Sequence, residues 1–209
     1  SDHQPFDLEN GPVIRWSLFT RAEKDHIFLI TAHHIAIDAW SLWIVLEDLR
    51  QGLQALANGE PIHLAAAPMP YTDWAKWQSE MLASPQGEEL KTFWQQQLAG
   101  DLPLLNLPYD FPHPLIQSHH GDTVAFTTTP EQTRRLKALA QSNDVTLYML
   151  MLAAFQVLMH RYSGQDDILV GTPTSGRNQS EFQSTVGYFV NPVTLRGNLS
   201  GSPGFRVYL

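Results

Sequence analysis

Two adjacent histidines, His33 and His34, are followed four residues after the second by Asp38, and then by Ala39, Trp40 and Ser41. An imidazole titrates near pH ~6.5, so it can accept a proton at neutral pH. Amide formation from a thioester needs such a group, because the extra proton of the attacking amine must leave as the tetrahedral intermediate forms. That reaction requires no covalent enzyme intermediate, in keeping with a chain that has no cysteine and no Gly-x-Ser-x-Gly elbow. The same residues have blander readings. Histidines at a strand end are commonly structural, and His and Asp are also metal ligands. Against a metal, His63, His113, His119, His120 and His160 are scattered through expected loops and a helix end.

The elements that would position these residues follow from the hydrophobic pattern. Residues 13–20 and 26–32 are branched and aromatic, with a polar turn between them, and read as two strands of a hairpin. If the second strand runs on through the histidines, the two imidazoles point to opposite faces. One would then face a cleft while the other is pinned in the scaffold. Ser41 is positioned to cap a helix with apolar residues at Leu42, Val45, Leu46, Leu49, Leu53 and Leu56, ending near Gly59. A Pro-bearing link, 61–70, leads to two Trp-rich helices, about 72–82 and 87–98, and Trp74, Trp77 and Trp94 are expected to pack. Residues 100–120 carry four prolines and little periodicity, which marks a lobe boundary. The second half reads as a strand at 123–129, a helix from Pro130 to about 142, and an apolar helix capped by Thr146 that ends near Gly164. A short strand at 168–170, a polar loop at 171–183 and a strand at 186–195 follow. Gly171 and Gly176 read as turn glycines. The alternation predicts an α/β class, divided as 1–100, a linker at 101–121, and 122–209.

The composition sets outer limits. Hydrophobic residues make up 43% and charged residues 16%, so the chain is globular. With 13 Lys+Arg against 21 Asp+Glu and a net charge of -8, neither nucleic acid nor an anionic membrane is an expected partner. The N-terminus lacks the plan of a signal peptide. The longest apolar stretch, 147–159, is broken by Gln156 and is shorter than the roughly 20 residues a bilayer span needs. These features suit a cytoplasmic protein.

The sequence resembles the condensation domains of nonribosomal peptide synthetases. His33-His34-x-x-x-Asp38 with Trp40-Ser41 is similar to their HHxxxDG signature. Pro5-Phe6-Asp7-Leu8 with Gly11-Pro12 and Arg15, then Tyr71-Thr72-Asp73-Trp74-Ala75-x-Trp77-Gln78, match in the same order. So do Gly171-Thr172-Pro173 with Gly176-Arg177, and Val186-Gly187-Tyr188-Phe189-Val190-Asn191.

The resemblance implies a two-lobe chloramphenicol acetyltransferase-like α/β sandwich, truncated here at both ends, since complete members are about twice as long. It implies amide formation between a carrier-bound acyl thioester and a carrier-bound amine. The domain itself would bind no cofactor, its substrates hanging on 4'-phosphopantetheine arms. The implied partners are donor and acceptor carrier proteins and an adjacent adenylation domain. His34 would be the central catalytic residue, with His33 and Asp38 beside it and Arg177 paired to Asp38 across the two halves. Ala39, Trp40, Ser41, Tyr188 and Asn191 would line the tunnel. Two departures stand out: Ala39 occupies a usual glycine, and Pro192 resembles forms that accept fatty acyl, polyketide or D-configured donors. Epimerization, other acyl transfer and non-catalytic recruitment remain as alternatives on the same fold.

Overall fold

The structure is a computed structural model that describes residues 4–64, 69–118 and 120–209. His119 and parts of the 61–70 link and of the N-terminal segment lie outside the described residues. Strands β1 (Ile14–Ala22) and β2 (Asp25–Ala32) form an antiparallel hairpin in which Trp16 faces Ile30 and Leu18 faces Phe28, with an irregularity between Thr20 and Ala22. Helices α1 (Ala39–Asn58), α2 (Tyr71–Leu82) and α3 (Pro85–Gln97) follow. Next come α4 (Pro130–Gln141), α5 (Leu147–Ser163), β3 (Asp167–Thr174), a single 3-10 turn at Ser180–Phe182, β4 (Asn191–Asn198) and α6 (Phe205–Tyr208). β3 pairs with β4 in a second two-stranded sheet.

Local chemistry sets the helix ends. Thr129 caps α4 in a capping box with Gln132, and Pro130 occupies the first turn, where its missing N–H costs nothing. Thr146 accepts the Met149 N–H at the start of α5. Gly59 and Gly164 close α1 and α5 in the left-handed region, each at φ 71°. At α1 the cap is Asp38 rather than Ser41: the Asp38 carboxylate accepts the Ser41 N–H at 2.7 Å, which leaves the serine hydroxyl for another task.

Among the described residues, one expected strand is absent and another begins later than expected. Residues 123–129 have no ladder partner among the described residues, and Val124 and Phe126 are 90% and 85% exposed. An apolar alternation becomes a strand only when a neighbour takes its backbone groups. Residues 186–190 are also irregular, and β4 begins only at Asn191. The backbone groups of 187–189 bond to the Asp38 N–H and carboxylate, the Ser41 hydroxyl and the Tyr71 hydroxyl instead of to a strand.

The chain forms two compact units. One gathers the residues up to Thr92 with Pro173–Val193, the other Phe93–Thr172 with Thr194–Leu209. The 173–193 segment, expected in the C-terminal lobe, therefore packs with the N-terminal residues. In the first unit Trp74, Phe182 and Phe189 form a buried cluster flanked by Met69, Tyr71 and Trp77. Trp94 lies in the second unit, so the three expected Trp partners are divided. There, Ala140, Leu150, Ala153, Ile168 and Leu199 are buried, and Arg196 on β4 pairs with Asp167 at 2.7 Å while donating to the Gln97 and Ala99 carbonyls beyond α3.

The β1–β2 hairpin leaves Trp16, Leu18, Phe19 and Phe28 between 41% and 66% exposed. An uncovered, apolar two-stranded ribbon invites association through its faces and edges. The isolated 209-residue chain is therefore expected to self-associate, and Leu18→Lys should shift light-scattering mass towards the monomer. A monodisperse monomer with no binding of apolar dye would contradict this.

Candidate functional site

β2 ends at Ala32, so neither histidine lies on a strand and strand alternation does not separate them. They begin a turn in which the Ala36 N–H donates to the His33 carbonyl at 3.0 Å. Hydrogen bonds separate their roles instead. His33 Nδ1 accepts the Ile35 N–H at 3.1 Å, and its ring meets Phe6 edge to face at 5.8 Å. Phe6 in turn carries the Arg15 guanidinium, 4.0 Å from its ring centre. His33 is thus held in the scaffold. His34 Nδ1 lies 2.8 Å from the Ile37 carbonyl. A carbonyl only accepts, so Nδ1 carries the proton, and in the neutral imidazole Nε2 keeps its lone pair. His34 is on the exposed side of the turn, with the Tyr188 ring edge to face at 5.1 Å.

Asp38 and Arg177, 139 positions apart in sequence, meet at 3.2 Å with both side chains almost fully buried. One Asp38 oxygen accepts the Ser41 N–H, the other accepts the Phe189 N–H at 3.1 Å, and Arg177 Nη2 reaches both. Burial pushes the Asp38 carboxyl up, but the Ser41 N–H and hydroxyl, the Phe189 N–H and the Arg177 charge outweigh it and hold the group below its ordinary value. Arg177 also donates to the Phe182 and Thr185 carbonyls at 2.7 and 2.8 Å, and its guanidinium lies 3.8 Å from the Phe189 ring centre. The pair joins two distant stretches of sequence inside one compact unit, rather than joining two units as the resemblance implied. Each Asp38 oxygen thus has two donors that hold the carboxylate in place.

Ser41, expected in a tunnel wall, is wholly buried. Its hydroxyl donates to the Gly187 carbonyl at 2.8 Å and accepts the Gly187 N–H at 3.0 Å and Arg177 Nη2 at 2.7 Å. Ala39 begins α1 and is exposed; Asp38 before it has φ -100°, and Ala39 is not among the positive-φ residues, so nothing here calls for glycine. Trp40 is 55% exposed, its indole N–H donating to the Gln183 carbonyl at 2.9 Å. Asn191 is exposed at the start of β4, where its carbonyl accepts the Thr174 hydroxyl.

Sequence reasoning missed Tyr71 and the steric role of Gly187. The Tyr71 hydroxyl donates to the Tyr188 carbonyl at 2.6 Å, and a Cβ on Gly187 would lie 2.2 Å from the Tyr71 ring. Gly176, at φ 64°, leaves only 1.9 Å between a Cβ and the Phe189 carbonyl. Tyr71 opens the Tyr-x-Asp-aromatic helix, a signal that was visible but pointed only to packing. Among the described residues, no cluster of three or more His, Cys, Asp or Glu could hold a metal.

Comparison with known proteins places this geometry. The family model for the condensation domain matches residues 1–209. The chain is 43% identical over 203 residues to a linear gramicidin synthase of Brevibacillus parabrevis, covering 97% of this chain and 3% of that protein. Among solved structures, the X-domain in its complex with OxyB from teicoplanin biosynthesis aligns with TM-score 0.84 at 29% identity, covering 97% of this chain and 46% of that one. A four-domain nonribosomal peptide synthetase, holo-AB3403 bound to AMP and glycine, aligns with TM-score 0.75 at 26% identity, covering 93% of this chain and 14% of that one. The chain belongs to the condensation-domain family of nonribosomal peptide synthetases. It spans a few per cent of the gramicidin synthase and less than half of each of these two solved chains.

Removing one partner of the buried pair strands the other's charge. Arg177→Met is expected to cost about 3–5 kcal/mol in urea denaturation of the chain, with the double variant Asp38→Leu/Arg177→Met recovering much of it. An Arg177→Met loss below about 1 kcal/mol would contradict the bracing role.

Because the folded Asp38 carboxyl titrates below its unfolded value, its contribution is complete above pH ~3.9 and is lost as pH falls through the folded value. Melting scans should therefore show an acid loss beginning below about pH 4, and this loss should be smaller in Asp38→Asn. Equal acid slopes in the two proteins would count against the assignment.

Proposed function

We propose that the chain carries the central part of a condensation domain that joins a carrier-bound acyl thioester to a carrier-bound amine, with His34 as the catalytic residue. The observation that supports this is the Nδ1–H bond from His34 to the Ile37 carbonyl, with no partner at Nε2 among the described residues, so that Nε2 can take a proton. The amine nitrogen attacks the thioester carbon and a C–N bond forms. The amine proton passes to Nε2. The C–S bond then breaks, and the departing pantetheine sulfur takes the proton as the amide is released. Held in line by their tethers, the reactants gain rate from effective concentration alone, so loss of the imidazole should leave residual turnover.

In this reading His33 holds the turn and Asp38 with Arg177 braces it. Ala39, Trp40, Tyr188 and Asn191 contact substrate on its way to His34, whereas Ser41 acts from inside the fold. The domain binds no cofactor of its own; both substrates ride on 4'-phosphopantetheine of donor and acceptor carrier proteins, with an adenylation domain adjacent. The first lobe takes the residues up to 92 with 173–193, and the second takes 93–172 with 194–209. No helix of the described residues is long and apolar enough to cross a membrane, which suits a cytoplasmic assembly line.

A second reading, partner recruitment without chemistry, is favoured by the likeness to an X-domain found in complex with OxyB. The test uses the synthetase that contains this chain, with defined acyl and aminoacyl carrier proteins and mass spectrometry of the product. His34→Ala should cut amide formation by about 10²-fold or more, and His33→Gln should cut it far less. No amide from the parent protein, or unchanged amide from a folded His34→Ala variant, would favour recruitment or another catalytic residue.

A further inference from the structure

The tripeptide Gly187-Tyr188-Phe189 is held against the first turn of α1 at its two ends. The Gly187 carbonyl accepts the Asp38 N–H at 3.1 Å and the Ser41 hydroxyl, and the Phe189 N–H donates to Asp38. Between these anchors, the carbonyl of Tyr188 is fixed by one group among the described residues, the Tyr71 hydroxyl at 2.6 Å. The Tyr188 ring stands edge to face against His34 with the planes 88° apart. Among the described residues His34 has one side-chain hydrogen bond, at Nδ1, which anchors one edge of the ring but does not prevent it from pivoting.

Tyr71 is in turn packed by its neighbours. Its ring stacks on Trp74 at 5.3 Å, meets Phe189 edge to face at 5.2 Å, and closes the space beside Gly187. Phenylalanine would fill the same volume, so packing alone does not call for the hydroxyl. What the hydroxyl adds is a fixed donor for the peptide that carries Tyr188.

We propose that Tyr71 is a positioning residue for the reaction: its hydroxyl fixes the Tyr188 peptide, and the Tyr188 ring sets the pivot of the His34 imidazole. The proposal rests on the amide-forming reading of the site. It assigns Tyr71 no contact with substrate. The hydroxyl acts on turnover through Tyr188 and leaves carrier binding alone.

The experiment measures amide formation and melting temperature in the synthetase that contains this chain, for the parent, Tyr71→Phe, Tyr71→Leu, Tyr188→Leu and the double variant Tyr71→Phe/Tyr188→Leu. Tyr71→Phe should lower kcat about 5- to 10-fold, the size expected for one lost hydrogen bond, with KM for the acceptor carrier unchanged. In the Tyr188→Leu background the same change should have no further effect on kcat, because the ring it positions is gone. Equal losses in both backgrounds, or an unchanged kcat, would overturn the proposal. A melting temperature for Tyr71→Phe as low as that of Tyr71→Leu would assign the hydroxyl to folding and overturn it as well. Absence of amide from the parent would defeat the underlying functional reading instead.

Discussion

The buried pair of Asp38 and Arg177 is the constraint on which the first compact unit depends. Charges removed from water are costly unless they are paired and hydrogen-bonded, and here both Nη atoms of Arg177 have acceptors while its buried Nε has none among the described residues. Arg177 reaches the carboxylate only if the segment 177–189 folds back onto the start of α1. That return path places the Phe189 amide on the same carboxylate and the Gly187 peptide on Ser41. Residues 187–189 therefore give their polar backbone groups to Asp38, Ser41 and Tyr71 and do not extend β4. One ion pair thus sets the path of the loop that carries Tyr188 to His34.

Two glycines make this path sterically possible. Gly176 adopts a left-handed conformation and Gly187 lies against the Tyr71 ring; a side chain at either would strike its neighbour. The aromatic cluster of Trp74, Phe182 and Phe189 fills the space behind the loop. Phe189 is shared by both systems, with its amide on Asp38 and its ring under the Arg177 guanidinium. A change in the apolar cluster would therefore be felt at the ion pair, and through it at the turn bearing His34.

The fold by itself does not decide the chemistry. Structures that this chain resembles include an X-domain in complex with OxyB and a four-domain synthetase bound to AMP and glycine. A shared scaffold hosts different uses, and function resides in the site. The His34 imidazole has its Nδ1 at a carbonyl and, among the described residues, no hydrogen-bond partner at Nε2, and the proposed proton transfer rests on that asymmetry.

The sequence by itself determined the family and the longer helices. Capping and periodicity are local, so α4 and α5 were legible from Thr129-Pro130 and Thr146 to Gly164. The signature from His33 to Ser41 was legible because its residue types are rare together. Other features depended on partners far along the chain. Residues 123–129 carry strand composition but have no ladder partner among the described residues, and 187–189 bond to Asp38, Ser41 and Tyr71 instead of to a strand. The two histidines were separated on paper by strand alternation; in the folded chain a turn begins with them, and the Ile35 amide and Ile37 carbonyl separate their roles. Ser41 looked like a helix cap or a tunnel wall, and only the return of Gly187, 146 residues later, made it a buried hub. Local chemistry can be read along a chain, whereas the satisfaction of a buried polar group is a property of the three-dimensional neighbourhood that tertiary structure alone supplies.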